Sequence, residues 1–252
     1  AVFHILNHAT FKAALFMSAG IVDHEAHTRD IRRLGGLRTL MPVTFVIATL
    51  AALSMAGIPL LNGFLSKEMM LEEATATVLF NSPLLVPALA TFGSLFSAAY
   101  CFRLIGHTFL GPVRDDYPSK PHDPNPGMWL PPAILVVLVV VIGIAPFLAE
   151  PFVKIVTSSL LGTAAEVPDK YIKIWHGLVP ALYMSIVAVL GGLVLVLIYA
   201  PVQRIWDATP RPEAKVIFEW IVESVAALAR GLIHGLHNGA FSRYAIIAVV
   251  AI

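Results

Sequence analysis

The sequence predicts an all-α, polytopic transmembrane helix bundle with one broken transmembrane helix and a long amphipathic surface helix near the C-terminus. Of its 252 residues, 58% are hydrophobic and 13% are charged, about half of the charged fraction that is usual in soluble domains. Apolar runs of about 20 residues, long enough to cross a bilayer, alternate with polar stretches. The mean hydropathy is +0.80. These observations exclude a water-soluble globule and a disordered chain.

Charge and cysteine content exclude further classes of protein. Seventeen basic residues nearly balance sixteen acidic residues, so we expect no field strong enough to hold a nucleic acid. The single cysteine, Cys101, cannot form a disulfide within the chain and matches no zinc or iron–sulfur ligand pattern. The sequence therefore predicts no nucleic-acid partner.

The transmembrane bundle is expected to occupy residues 1–200. Its predicted spans are 1–22, 42–58, 59–80, 84–110, 129–153 and 176–200. The polar stretches between the apolar runs are expected to lie in water or in the headgroup layer, and the one between the fourth and fifth spans is rich in proline and charge, which is typical of an extended loop.

The last part of the chain changes character. Residues 211–238 predict an amphipathic helix, with Trp220 on an apolar face and Glu223 on a polar face. Such a helix lies along a membrane surface or packs on a neighbouring subunit, and the sequence leaves both possibilities open. Residues 240–252 begin a further transmembrane helix. Because the chain opens and closes within apolar runs, we expect it to be part of a larger protein.

The first apolar run carries a stripe of basic side chains. His4, His8 and Lys12 are spaced four residues apart, so they lie on one slowly drifting face of a helix, with neighbours about 6 Å apart. A charged side chain at the centre of a lipid-exposed helix costs about 2.5–3.5 kcal/mol on insertion scales, so such residues persist where they face protein or water. Histidine titrates near neutrality. The stripe predicts a proton wire, and the alternative is a set of structural hydrogen bonds between helices.

Metal binding by the same histidines is disfavoured. His4 and His8 have the spacing of a metalloprotease zinc helix, but no glutamate follows the first histidine. A haem or copper site would need a ligand from another helix, and His107 is expected to lie at the headgroup level near Arg103. We therefore predict no metal and no cofactor.

A second polar cluster interrupts an apolar segment. The stretch Gly57–Gly63 contains two glycines, a proline and an asparagine, which predicts an interrupted helix whose freed backbone groups need water or protein partners. Lys67 follows this break, and Glu68 is a possible charge partner for it. Composition alone leaves open a water-side loop with a surface Lys–Glu pair.

Together these clusters resemble the signature of antiporter-like subunits, which occur in respiratory complex I and in multisubunit Mrp-type (also called Mnh or Pha) cation/proton antiporters. One signature runs from His4 through Lys12 into the stretch 20–37, and the second, from Gly57 to Glu68, matches in order and spacing. The stretches Trp-His-Gly at 175–177 and Asn-Gly-x-Phe-Ser-Arg-Tyr at 238–244 resemble the large A subunit of the Mrp-type antiporters. The resemblance implies that the chain is the C-terminal part of the antiporter-like module of that subunit, with Lys67 on a broken transmembrane helix.

The resemblance also implies a function: exchange of Na+, or another alkali cation, for protons across the bacterial cytoplasmic membrane. His4 and His8 would relay protons to Lys12, and Lys67 would connect that relay to one membrane face. The implied protein is a subunit of a secondary transporter rather than an enzyme. Its expected partners are the lipid bilayer, H+ and Na+, and the other membrane subunits of a hetero-oligomeric complex. No cluster of oxygen ligands in the sequence indicates the route of Na+.

Two other functions fit some of these residues. A proton-pumping subunit of a redox enzyme, either respiratory complex I or a membrane-bound hydrogenase, would use the same wire as part of a redox-driven translocase. The proteins that co-purify with the chain separate this function from antiport. A haem- or copper-binding membrane protein is the third hypothesis, and it predicts a visible absorbance band.

Overall fold

A computed structural model describes residues 1–115, 117–162, 172–175, 177–209, 213–236 and 241–250. Within these ranges the regular elements are helical, and Leu79 and Ser82 form an isolated β-bridge. The predicted all-α class is confirmed. The chain divides into two compact units, Ala1–Tyr199 and Ala200–Ile252.

The first unit is a bundle of helices. In chain order these are α1 (Val2–Ala26), α2 (Leu37–Leu40), α3 (Pro42–Ala56), α4 (Asn62–Ala76), α5 (Leu85–Leu104), α6 (Pro126–Ile144), α7 (Glu150–Leu161) and α8 (Pro180–Leu197). A π-helical turn, Ile105–Phe109, continues α5. Among the described residues, α1, α5 with its π turn, α6 and α8 are long and apolar enough to cross a membrane, while α3 is a shorter apolar helix.

The short helix α3 runs antiparallel to α1. Ile21, near the end of α1, shares a buried cluster with Met41 at the start of α3. Phe11, in the middle of α1, shares another buried cluster with Met55 at the end of α3. With 15 residues and a length of about 22 Å, α3 is shorter than the apolar core of a bilayer, which is about 30 Å thick.

Helix α4 continues in the direction of α3 and is also 15 residues long. Its first residue, Asn62, is hydrogen-bonded to Thr10, and Ser66, one turn further on, contacts His4 near the start of α1. Helices α3 and α4 therefore follow α1 one after the other, as two segments of one interrupted helical path. The boundary between the predicted spans 42–58 and 59–80 falls in the interruption between α3 and α4.

The helix in the fifth predicted span ends before a proline, Pro146. The sequence predicted a span over 129–153, whereas α6 ends at Ile144. Pro146 has no N–H for a helical hydrogen bond, and it disfavours the helical conformation at Ala145, so a new helix, α7, has to start after it. The sixth span was predicted to begin at His176, which lies outside the described residues, and α8 begins at Pro180.

Helix α1 is one turn longer than predicted. It continues through Ala26, and the carboxylate of Asp23 in this added turn accepts a hydrogen bond from Arg29 at 2.8 Å. The ion pair offsets the unfavourable placement of an acid near the negative end of a helix. In the connection that follows, the guanidinium and backbone N–H of Arg32 bind the carboxylate of Asp30, which lowers the pKa of Asp30 to about 2.

The proline-rich connection between α5 and α6 holds the start of α3 in place. Asp123 accepts hydrogen bonds from the backbone N–H groups of Val43 and Thr44 at 2.9 and 3.0 Å and from the hydroxyl of Thr44 at 2.8 Å. These are N–H groups that a helix start leaves without a partner, and a carboxylate there also complements the helix dipole. Beside this cap, His122 lies 3.4 Å from the carboxylate of Glu25.

The second unit contains most of α9 (Tyr199–Ala208), then α10 (Ala214–Leu236) and α11 (Phe241–Val250). Helix α10 falls within the predicted amphipathic segment 211–238, of which residues 211, 212, 237 and 238 lie outside the described residues. Lys215 and Glu219 form an i,i+4 ion pair at 3.7 Å on its polar side. The placement of α10 along a membrane surface stays a prediction.

Candidate functional site

Helix α1 carries the predicted basic stripe. The imidazole rings of His4 and His8 have their centroids 5.8 Å apart. The ammonium of the half-buried Lys12 lies 5.6 Å from the centroid of the Tyr100 ring on α5. A cation near the face of an aromatic ring is attracted by the ring's quadrupole. The helical spacing read from the sequence therefore places three basic groups one after another along α1.

A glycine and a proline interrupt the broken helix. Gly57 follows α3 in the left-handed conformation (φ 91°), which glycine adopts without a steric penalty. Its N–H bonds to the carbonyls of Leu53 and Ser54, at 3.1 and 3.0 Å. Pro59 has no N–H to continue the helical ladder. The chain resumes a helix only at Asn62.

Lys67 reaches back from α4 to the end of α3. Its ammonium donates a hydrogen bond to the carbonyl of Ala56 at 3.0 Å. The lysine passes so close to Gly57 that a Cβ there would lie 3.0 Å from its Cδ. Ala56 is the last residue of α3, where the helix dipole is negative, so the ammonium lies at the pole that attracts it.

A buried polar network joins the break to α1. The amide of Asn62 donates to the hydroxyl of Thr10 at 2.9 Å and accepts from the hydroxyl of Ser54 at 2.8 Å. The carbonyl of Asn62 accepts from the amide of Asn7 at 3.0 Å, and the N–H of Gly63 donates to the Ser54 hydroxyl at 3.0 Å. Because buried polar groups need partners, this network fixes where α4 begins relative to α1 and α3.

The orientation of His4 is set by Ser66. The Nδ1 atom of His4 lies 3.1 Å from the hydroxyl of Ser66, and that hydroxyl donates to the carbonyl of Gly63 at 3.3 Å. In the tautomer that carries its proton on Nδ1, the imidazole donates to this hydroxyl and Nε2 is the proton acceptor.

One cavity brings the basic residues together. It has a volume of about 480 Å³ and is lined by all four of the basic residues singled out in the sequence: His4, His8, Lys12 and Lys67. Side chains that are far apart in the chain therefore face a common space. This space is large enough for several water molecules, each of which occupies about 30 Å³ in the liquid.

The opposite wall of the cavity contains residues that the sequence analysis missed. Ser94, Ser97 and Tyr100 of α5 line it. The sequence does indicate this wall, because hydroxyl side chains spaced three residues apart in an apolar run lie near one face of a helix. Each hydroxyl both donates and accepts hydrogen bonds, as a proton relay requires.

Glu68, the possible charge partner of Lys67, lies next to it on α4. Both residues are among those the structure describes, and no ion pair joins them, while Lys67 binds the carbonyl of Ala56 instead. Adjacent helical residues point about 100° apart, so they do not face each other. Glu68 is buried, with 3% of its surface exposed.

The remaining candidate ligands are dispersed. In the described part of the chain, no group of three His, Cys, Asp or Glu side chains is arranged to hold a metal ion. His107 lies in the π turn, where its ring packs edge-on against Tyr199 at 5.4 Å between centroids. Arg103 donates to the hydroxyl of the same tyrosine at 2.7 Å, which agrees with the expected neighbourhood of His107 and Arg103.

Comparison with protein families gives a match over the part of the chain that holds this site. Residues 1–97 match the family described as "NADH:quinone oxidoreductase/Mrp antiporter, TM". The match includes α1, α3 and α4, so it covers the four basic residues of the cavity.

Two relatives illustrate the similarity of sequence. The chain is 48% identical over 196 residues to a probable A/B subunit of a K(+)/H(+) antiporter of Rhizobium meliloti, which covers 77% of this chain and 19% of the relative. It is 42% identical over 212 residues to the A1 subunit of a Na(+)/H(+) antiporter of Staphylococcus saprophyticus, covering 79% of this chain and 26% of the relative. The chain thus spans about a quarter or less of the length of these relatives.

Solved structures share the fold. The Mrp complex from Dietzia sp. DQ12-45-1b contains a chain that matches 99% of this chain with a TM-score of 0.76 and 31% identity, over 26% of its own length. A chain of the membrane-bound sulfane sulfur reductase, an archaeal respiratory membrane complex, matches 99% of this chain with a TM-score of 0.63 and 22% identity, over 46% of its own length.

The helix bundle and these matches define a class: multi-pass membrane proteins of the antiporter-like kind, as predicted from the sequence. Within that class, residues 1–97 match the NADH:quinone oxidoreductase/Mrp antiporter family, and the resemblance to the large antiporter-like subunit of the Mrp type is confirmed.

Proposed function

We propose that this chain is part of a multisubunit monovalent cation/proton antiporter and that His4, His8, Lys12 and Lys67 carry its protons. The observation that carries the proposal is the single cavity of about 480 Å³ that all four side chains line. The relatives named as K(+)/H(+) and Na(+)/H(+) antiporter subunits support cation exchange as the function. A transporter subunit, rather than an enzyme, fits these names best.

Water in the cavity would connect the four groups. The ring centroids of His4 and His8 are 5.8 Å apart, which is beyond a direct hydrogen bond but within reach of one bridging water. In the tautomer in which Nδ1–H of His4 donates to Ser66, Nε2 is the atom that accepts a proton from water. A proton that arrives on one amine raises the local positive charge, and this favours release from the next amine along the cavity.

Replacing either lysine tests this function. Lys12→Ala and Lys67→Ala are each expected to abolish cation-dependent proton movement in vesicles that carry the complete complex, because each removes a protonatable group from the cavity. The matched control is Lys120→Ala, which removes an exposed lysine in the connection between α5 and α6. Immunoblots of the membranes check that each variant is assembled. Wild-type exchange in either cavity variant would contradict the site assignment.

The two histidines are expected to set the rate or the pH dependence of exchange. His4→Ala and His8→Ala each remove an imidazole that can take up and release a proton. We expect slower exchange or a displaced pH optimum in the same vesicle assay. An unchanged rate and pH profile in both variants would leave these histidines as packing residues.

A second candidate function follows from the family description, which includes NADH:quinone oxidoreductase as well as the Mrp antiporter. In that case the same cavity would carry protons for a redox-driven pump. Purification of the native complex separates the two functions. Co-purifying flavin or iron–sulfur subunits support the redox pump, while co-purifying membrane subunits without redox centres support the antiporter.

A further inference from the structure

We propose that the carbonyl end of α3, at Met55 and Ala56, is a binding site for a desolvated alkali cation, and that the ammonium of Lys67 is a tethered competitor for it. The inference rests on the proposed function and deepens it by naming where the second transported ion binds and why its binding is linked to a proton.

The sequence frees these carbonyls for a ligand. The last four carbonyls of a helix have no partner within the helix. Of those in α3, Leu53 and Ser54 accept from the N–H of Gly57. The residue four positions after Met55 is Pro59, which has no N–H to donate, so the usual helical partner of the Met55 carbonyl is missing.

The carbonyl of Ala56 already holds a cation. It accepts a hydrogen bond from the ammonium of Lys67 at 3.0 Å. Carbonyl oxygens at the interrupted ends of membrane helices are a recurrent ligand set for Na+, because the helix dipole adds a partial negative charge there. One carbonyl oxygen cannot hold both the ammonium and a metal cation at short distance, since the two charges repel.

The site opens to the proton-carrying cavity. Met55, Gly63 and Lys67 line that cavity together with the stripe on α1. Ala56 is buried and is not one of the lining residues, and the side chain of Lys67 reaches from the cavity to its carbonyl. A cation would therefore reach the end of α3 along the path that the Lys67 side chain occupies.

Several other titratable groups surround Lys67, and they bear on any test in which pH is varied. They are His4, His8 and Lys12 of α1, Tyr100 and Cys101 of α5, and the adjacent Glu68 of α4. Protonated histidines would repel a bound cation, so a test of Lys67 belongs above the pH range in which histidine titrates.

The exchange step balances in charge and atoms. The protonated amine of Lys67 gives its proton to water in the cavity, the neutral amine leaves the Ala56 carbonyl, and the alkali cation takes its place on the oxygen. One positive charge leaves the site and one enters. No bond other than the N–H bond of the ammonium is broken.

Cation binding to the complete purified complex is the direct test. Titrations with NaCl and with KCl between pH 7.5 and 9.5, with choline chloride as the reference salt, give the apparent affinity of each ion. For a proton and a cation that compete at one site, the apparent Kd falls tenfold for each pH unit while Lys67 is protonated. A pH indicator in weak buffer should report release of about one proton per bound cation over the same range.

Two variants separate the competitor from the ligand. Lys67→Met keeps the length of the side chain but removes the ammonium, so binding should persist and lose its tenfold-per-unit dependence on pH. Pro59→Ala supplies the N–H that proline lacks, so that a helical hydrogen bond to the Met55 carbonyl becomes possible, and it should weaken cation binding by about tenfold or more. The controls are Lys120→Met, which changes an exposed lysine between α5 and α6 and should retain the steep pH dependence, and Pro42→Ala, which changes a proline at the other end of α3.

Three results would overturn the inference: a wild-type Kd that does not change with pH, loss of cation binding in Lys67→Met, or an unchanged pH dependence in that variant. If the Pro59→Ala complex does not assemble, the Lys67→Met titration alone decides. Because binding is measured without transport, failure here leaves the antiport assay as an independent test. Conversely, wild-type vesicles without cation-dependent proton movement would refute the proposed function while leaving the binding result intact.

Discussion

Replacing Gly63 by alanine is expected to push α4 away from α3. A Cβ at this position would lie 2.1 Å from the carbonyl oxygen of Ser54, whereas ordinary contacts begin at 3.4 Å, so the two helices must separate by roughly 1 Å or more. A movement of this size breaks the hydrogen bond from the Gly63 N–H to the Ser54 hydroxyl, which is 3.0 Å long. Overpacking costs about 1–3 kcal/mol and the lost hydrogen bond about 0.5–1.5 kcal/mol, so we expect a destabilisation of about 2–4 kcal/mol.

The assay is the temperature at which half of the purified complete complex aggregates in detergent. Gly20→Ala is the matched control, because Gly20 is an exposed helical glycine of α1 with nothing within 4 Å of its Cβ position. The control should be as stable as the wild type or slightly more stable, since alanine is the better helix former. Gly63→Ala should aggregate at a clearly lower temperature. Equal midpoints for the two variants would refute the close packing of α3 on α4 at the break.

Two further predictions concern the connections outside the bundle. Asp123→Ala removes the acceptor for the first N–H groups of α3 and should lower the stability of that helix end by about 1 kcal/mol. Hydrogen exchange should become faster at the amides of Val43 and Thr44 and stay unchanged in α8. Unaltered exchange at both amides would contradict the capping role. The lowered pKa of Asp30 means that its bond to Arg32 is fully present above the ordinary value of 3.8 and is lost as pH falls through about 2. An isotope-edited infrared titration should show that the Asp30 side chain is still a carboxylate at pH 3. In Arg32→Gln the pKa of Asp30 should return towards the ordinary value. A wild-type Asp30 that is mostly protonated at pH 3 would contradict the contact with Arg32.

Local patterns in the sequence predicted the parts of the site that depend on neighbouring residues. The stripe of His4, His8 and Lys12 follows from helical spacing, and the structure keeps it on one side of α1. The break follows from Gly57 and Pro59, whose backbone chemistry acts at their own positions. Both features were accessible because the residues that cause them are close together in the chain.

The sequence did not predict contacts that depend on how helices pack. Asn7 and Asn62 are 55 positions apart, and the residues around them in the sequence do not indicate that they are hydrogen-bonded to each other. Glu68 was named as a possible charge partner of Lys67 because the two are adjacent, whereas the hydrogen bond from Lys67 to the Ala56 carbonyl involves a backbone group that composition does not reveal. The wall formed by Ser94, Ser97 and Tyr100 was missed because serines in an apolar helix are usually satisfied by their own backbone.

A density map of the complete complex that resolves ordered water tests the central claim most directly. We predict a file of water molecules within hydrogen-bond distance of the His8 ring and of both lysine amines, occupying the space between α1, α4 and α5. Acyl chains packed against those amines, or a space closed by apolar side chains with no water, would contradict a role for these four groups in moving protons.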